Sequence, residues 1–180
     1  MVYILLASGF EEAEALVPAD MLRRANIETA LVSLDGEPVP GSHGIMVTAD
    51  IAMDKLDCSK ADMVVLPGGP GHKKLGENSG VEQLVREMAA QGRWVAAICA
   101  APTLLGGWGL LDGKNAVCYP GMEAGLTGAQ AKMDQSVAVD GKIVTGRAAG
   151  SAFDFGLTLV EVLAGKAEAD KIRSGIHYNM

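Results

Sequence analysis

The chain has 180 residues, of which 49% are apolar, 23 are glycine and only 4% are aromatic, and its formal net charge is −7. That length suits one domain with a core of its own, and the apolar content argues against disorder. An acidic chain repels phosphate backbones unless its cations are segregated, yet its only dense cationic spots are the pairs Arg23–Arg24 and Lys73–Lys74. With so few aromatics there is also no base-stacking platform, so no nucleic-acid partner is expected.

From the first residue, 2–7 (VYILLA) is a short apolar run of the kind found in a fully buried strand. Ser8 and Gly9 turn the chain into a helix that ends near Asn26, with Leu16, Ala19, Met21 and Leu22 as its apolar stripe. Residues 29–34 (TALVSL) read as a second strand, completing a parallel crossover unit. Residues 35–53, with two prolines and an alternating stretch, read as a small hairpin or excursion.

A buried strand returns over 61–69 and ends in a Pro-Gly-Gly turn. A helix follows over 79–93, with Val81, Leu84, Val85 and Met88 on one face and Gly92 as its stop. Residues 94–98 predict a strand and 101–111 a helix opening at Pro102, the favoured first helical position for proline. A short strand is expected at 116–120 and a hairpin around Asp140-Gly141. Helices over 151–165 and 166–176 close the chain. The alternation predicts an α/β domain, a mainly parallel sheet covered on both faces, with ligands beyond the C-terminal strand ends.

Cys58, Cys99 and Cys118 are an odd set without C-x-x-C spacing, which supports neither a disulfide framework nor a zinc site. The N-terminus lacks the basic segment of a signal peptide. The uncharged run Trp94–Leu111 has the length of a membrane span, but Pro102, Gly106, Gly107 and Gly109 interrupt it. The expectation is a cytoplasmic chain with no membrane association, no metal and no cofactor.

Four segments fall just past the expected strand ends: 8–14, 68–71, 99–101 and 119–121. Cys99 sits in the corner between Ile98 and Pro102, where its side chain would project over the sheet edge as in a nucleophile elbow. The following helix start would lower its pKa. Cys58 and Cys118 have no expected helix start beside them. Glu11 and Glu12 read as acids suited to a first helical turn, whereas the offset of Glu14 points it elsewhere, where it could meet Cys99 as a protonated donor. Gly68 and Gly69 would let backbone N–H groups approach a ligand, and with the N–H of Ala100 form an oxyanion hole. His43, His72 and His177 lack metal-ligand spacing, and His72 reads as a surface-loop residue.

The segments GFEEAEALVPADMLRRANI, VVLPGGPG, VAAICAAPTLL, CYPGME and SAFDFGLTLVEVLAGKAEA, in order over nearly the whole chain, resemble the ThiJ/PfpI superfamily in its DJ-one branch. The resemblance implies a single domain over 1–180 with a flavodoxin-like three-layer sandwich, and a homodimer. It implies an oxidation-prone nucleophile at Cys99, a partner carboxyl at Glu14 and backbone contacts from Gly68 and Gly69. It implies glutathione-independent conversion of small aldehydes such as methylglyoxal to 2-hydroxy acids (glyoxalase III or deglycase type). The alternative it implies is a redox-sensing stress protein or chaperone with little turnover.

Three departures bear on the site. Tyr119 stands where the branch's human member has a histidine; with a reference pKa of about 10 a tyrosine is a poor base but can still donate a hydrogen bond. Ala148-Ala149-Gly150 replaces a Gly-Pro-Gly turn, and His43 replaces an arginine, which would weaken an anion contact because histidine is mostly neutral at pH 7. Ala100 stands where protease-like relatives have a histidine, which disfavours a peptidase.

Overall fold

The computed structural model describes residues 1–178. In chain order the elements are β1 (Val2–Leu6), α1 (Glu12–Arg24), β2 (Thr29–Ser33), β3 (Val39–Pro40), β4 (Met46–Val47), β5 (Ile51–Ala52), β6 (Met63–Leu66), α2 (His72–Glu77), α3 (Ser79–Ala90), β7 (Trp94–Ile98), α4 (Pro102–Gly107), β8 (Asn115–Ala116), β9 (Gln130–Ala131), β10 (Val137–Asp140), β11 (Ile143–Gly146), α5 (Ala152–Ala164) and α6 (Lys166–Gly175). The main sheet has seven strands in the order β10-β11-β7-β6-β1-β2-β5. Every neighbouring pair is parallel except β10 with β11.

The period of two along each strand sorts side chains to the two faces. Val2, Ile4 and Leu6 of β1, with Met63, Val65, Ala96 and Ile98, pack against α1 and α5 through Met21, Leu22, Phe155 and Leu159. Tyr3, Leu5, Val64, Leu66, Val95 and Ala97 pack on the other face against Leu84, Val85, Met88 and Leu105 of α3 and α4. Burial on both faces explains why β1, β6 and β7 are uniformly apolar rather than alternating. The result is a three-layer α/β sandwich.

The chain leaves β1 toward β2 and β5, then crosses back to β6 on the other side of β1. Strand order therefore reverses between β1 and β6, and a crevice opens at their C-terminal ends.

Several boundaries differ from the sequence expectations. Residues 35–53 hold the β3–β4 hairpin, but Ile51 and Ala52 go on to pair with Val32 and Ser33 at the sheet edge. The helix after Cys99 stops at Gly107, because Gly109 takes a left-handed φ of 69° and the Leu110 N–H turns back to donate to the Leu105 carbonyl at 3.0 Å. The strand expected at 116–120 reduces to Asn115–Ala116, paired with Gln130–Ala131 in a small separate sheet, so Cys118 and Tyr119 lie in a loop. Leu16 is only partly buried; Ala15 and Pro18 share the buried face of α1 with Ala19, Met21 and Leu22. Helix α2 was not expected at all. No helix among the described residues is long and apolar enough to cross a membrane.

Candidate active site

Cys99 follows the last residue of β7 and holds a left-handed φ of 66°. Such a backbone costs a non-glycine residue on the order of 1–2 kcal/mol. Two hydrogen bonds hold it: the Cys99 N–H donates to the Gly146 carbonyl at 2.9 Å, and its carbonyl accepts from the Tyr119 N–H at 2.8 Å. The corner presents the side chain over the end of the sheet, with 9% of the residue exposed.

Glu14 lies in the first turn of α1, on the face turned to the sheet, and is fully buried. Its Oε2 accepts from the Gly68 N–H at 2.9 Å. Its Oε1 is buried without a donor at conventional geometry. Burial pushes the Glu14 carboxyl up to about 7, against lowering contacts from the Cys99 thiol and the N–H groups of Gly68 and Ala149.

Gly68 is the spacer of this pair. A Cβ on it would stand 2.6 Å from Glu14 Oε2 and 2.7 Å from Cys99 Cβ. Only a hydrogen in place of that Cβ lets the β6 turn pass between carboxyl and thiol. Gly69, at φ 75°, is packed as tightly, since a Cβ would meet the Glu11 nitrogen and the Gly9 oxygen at 2.6 Å.

Electrostatics overturn one expectation. Burial, then the negative charge of Glu14, push the Cys99 thiol up to about 12, while the N–H groups of Gly69 and Ala100 lower it only in part. The following helix is six residues long and does not outweigh this. Cys99 and Glu14 titrate as one unit. Over the neutral range the unit sheds a single proton, and the second is held by repulsion between two charges in a confined, poorly solvated space.

A cleft of about 480 Å³ opens over this pair, lined among others by Gly69, His72, Cys99, Ala100, Tyr119 and Ala149. All six of the expected site residues therefore meet: Cys99, Glu14, Gly69, Ala100 and Tyr119 line the cleft, and Gly68 sits behind it. Tyr119 is 49% exposed at the cleft mouth. The Ala148–Gly150 segment forms one wall, with Ser151 Oγ donating to the Ala148 carbonyl at 2.7 Å.

Other expectations need correction. Glu12 does stand in the first turn of α1, but it does more than suit the helix start: it is 6% exposed and takes the His43 N–H at 2.8 Å and the His43 Nδ1 at 3.0 Å. Although burial raises it, these bonds and the Ile45 N–H hold its carboxyl down at about 2. Hydrogen bonding to Glu12 in turn raises the pKa of the exposed His43, with the charges of Glu11 and Glu12 acting the same way, so its charged form is favoured more than expected. His72 is not on a surface loop; it opens α2 and lines the cleft. Cys58 does open a short 3-10 turn, but burial raises its pKa, as it does that of the buried Cys118.

A larger cleft, about 560 Å³, lies at the N-terminal ends of β7 and β11 and is lined by Arg86, Arg93, Lys114 and Lys142. These cations are all engaged, with Glu82, the Cys58 and Ala61 carbonyls, Asp140 and the Trp94 ring respectively. It holds no nucleophile and is remote from the switch point.

Comparison with known proteins gives the family and supports the fold. Drosophila melanogaster dj-1beta is 38% identical over 176 residues, covering 96% of this chain and 94% of that protein. The crystal structure of Drosophila DJ-1beta superimposes with a TM-score of 0.94 over 99% of this chain and 98% of its own. The glutathione-independent glyoxalase DJR-1.2 of Caenorhabditis elegans is 28% identical, covering 90% of this chain and 87% of that protein. The deglycase PH1704 of Pyrococcus horikoshii is 32% identical, covering 81% and 89%. Residues 1–162 match the DJ-1/PfpI family, and the chain belongs to it.

Proposed function

We propose that the chain is a cysteine-dependent enzyme that converts small 2-oxoaldehydes to 2-hydroxy acids without glutathione. The observation that carries this is a fully buried carboxyl, Glu14, poised at about 7 beside a thiol at a strained corner. A base that changes protonation near neutral pH can both take and return a proton. The names of the worm glyoxalase and the archaeal deglycase support the same class.

The chemistry follows from the pair. Ionised Glu14 takes the Cys99 proton as the sulfur attacks the aldehyde carbon, C1, and returns it to the aldehyde oxygen, giving a hemithioacetal. The N–H groups of Gly69 and Ala100 offset the charge that develops at this centre. Glu14 then removes the C1 hydrogen as a proton and delivers it to C2 through an enediol, while the hydroxyl proton passes from the C1 oxygen to the C2 oxygen. The product is a thioester of the 2-hydroxy acid on Cys99, which water hydrolyses to release the acid and the thiol. No oxidant or reductant is consumed.

The test is lactate formed from methylglyoxal. Turnover is expected to rise as pH passes about 7, where Glu14 becomes the ionised base. Cys99→Ala should abolish it and Glu14→Gln should lower it by about 10²-fold or more. Lactate from wild type no faster than from Cys99→Ala would overturn the proposal. A second reading, a redox sensor, is favoured by the N–H groups of Gly69 and Ala100 beside the sulfur, which could equally hold sulfinate oxygens. In that case mild peroxide would convert Cys99 to sulfinate in a chain without turnover.

A further inference from the structure

We propose that His72 is the general base for the hydrolytic half of the reaction, activating the water that cleaves the Cys99 thioester. The proposal rests on the reading of Cys99 as the nucleophile. His72 is half-buried and lines the cleft with Cys99 and Tyr119. Its Nδ1 lies 2.7 Å from the Gly69 carbonyl oxygen. A carbonyl can only accept, so Nδ1 carries a hydrogen, and in the neutral ring Nε2 is left with its lone pair. A backbone carbonyl on the far nitrogen fixes the tautomer and the ring, the part a third group plays toward the base in a catalytic triad.

The other groups of the cleft are unsuited to this step. Glu14 has no exposed surface and its Oε2 accepts from Gly68, which leaves only the buried Oε1 to act. Glu11 accepts from Ser42 Oγ at 3.0 Å, and His43 Nδ1 is turned to Glu12 at 3.0 Å. Tyr119 offers a phenol, a donor with little basicity at neutral pH. Division of labour follows. The buried carboxyl moves protons between carbons shielded from solvent, and the half-exposed imidazole serves water.

In the step itself, a water oxygen adds to the thioester carbonyl carbon while one of its protons passes to Nε2. The carbon–sulfur bond then breaks, the acid leaves, and the imidazolium returns its proton to the departing sulfur. Gly69 connects the two groups: its N–H faces the Cys99 sulfur and its carbonyl anchors the His72 ring.

The test separates this role from mere anchorage of Gly69. His72→Asn keeps an N–H at the Nδ1 position and removes Nε2; His72→Ala removes both. Each protein is acetylated on Cys99 with p-nitrophenyl acetate, and gain and loss of the acetyl group are followed by intact mass and peptide mapping, with Cys99→Ala as blank. His72→Asn should acetylate at the wild-type rate and lose the acetyl group about 10²-fold more slowly. Added imidazole should speed deacetylation of His72→Ala. Loss of acetyl from His72→Asn at the wild-type rate would overturn the proposal, as would a His72→Ala defect that imidazole leaves unchanged. If wild type forms no lactate yet its deacetylation depends on His72, the aldehyde reading fails and the role of His72 stands. A Cys99 that the ester does not acetylate overturns both.

Discussion

Glu14 carries a stability cost that its chemistry explains. Its carboxyl moves from 4.5 in the unfolded chain to about 7 in the folded one, chiefly through burial. A group whose pKa is raised by folding favours the native state while protonated. That contribution is fully present below about 4.5 and is lost as pH rises through about 7. Once ionised in place the group costs on the order of 3 kcal/mol. Glu14→Gln, neutral at every pH, should therefore be more stable than wild type at pH 8, and the gap should close as pH falls toward 5. Urea unfolding at the two pH values measures it. A gap that does not change with pH would show that the carboxyl is not the burdened group. Gly68 makes the same point sterically, since the closeness of carboxyl and thiol depends on a residue with no side chain between them.

At the scale of elements, much was legible because burial on both faces writes itself as continuous apolar runs. The strands 2–7, 61–69 and 94–98 stand out in this way, and Glu14, Gly68 and Cys99 follow them at the ends where a parallel sheet opens. What was not legible depended on distant partners. The strand Ile51–Ala52 exists because Val32 and Ser33 offer an open edge, not because of its own pattern. Helix α2, with Gly76 and two lysines in six residues, has no apolar stripe to read. The role of Glu12 was hidden because its partners, His43 and Ile45, come from a loop thirty-odd residues away. The level at which the Cys99 thiol titrates was hidden too, because burial and Glu14 are properties of the assembled site. Close packing of helices is a further case. Gly156 of α5 sits on α1 so tightly that a Cβ would stand 3.0 Å from Pro18 Cα and from Met21 Cγ. Gly156→Val should thus lower stability by about 1–3 kcal/mol, several degrees of Tm. Gly107→Ala, where an added methyl meets nothing, is the control and should stay within about 0.5 kcal/mol. Equal Tm values for the two would show that the α1–α5 contact yields freely.

At the scale of the whole molecule, the site is an outcome of the sheet's connectivity. Its parts come from the ends of β1, β6 and β7, three adjacent strands with neighbours on both sides. No part of the site rests on an edge strand, so local opening of β5 or β10 should leave it assembled. The exception to examine is the segment 115–131, which carries Tyr119 and covers α4. It is tied down by Leu126, buried in the core with Leu105, and by the contact of Gly106 with the Gly125 carbonyl. Cys118 lies in this segment with no exposed surface, whereas Cys99 keeps 9% of its surface open in the cleft. The two thiols therefore report different events. In native protein at pH 8, iodoacetamide should modify Cys99, slowly because burial and Glu14 hold its thiol up, and leave Cys118 untouched. Along a urea titration, Cys118 should become reactive only within the transition seen by far-UV circular dichroism, because freeing it requires stripping Leu126 and Ala116 from the core. Peptide mapping by mass spectrometry resolves the cysteines at each urea concentration. Cys118 labelled well below that transition would mean that 115–131 opens as a unit of its own, and Tyr119 would then belong to a movable wall of the cleft rather than to the rigid frame.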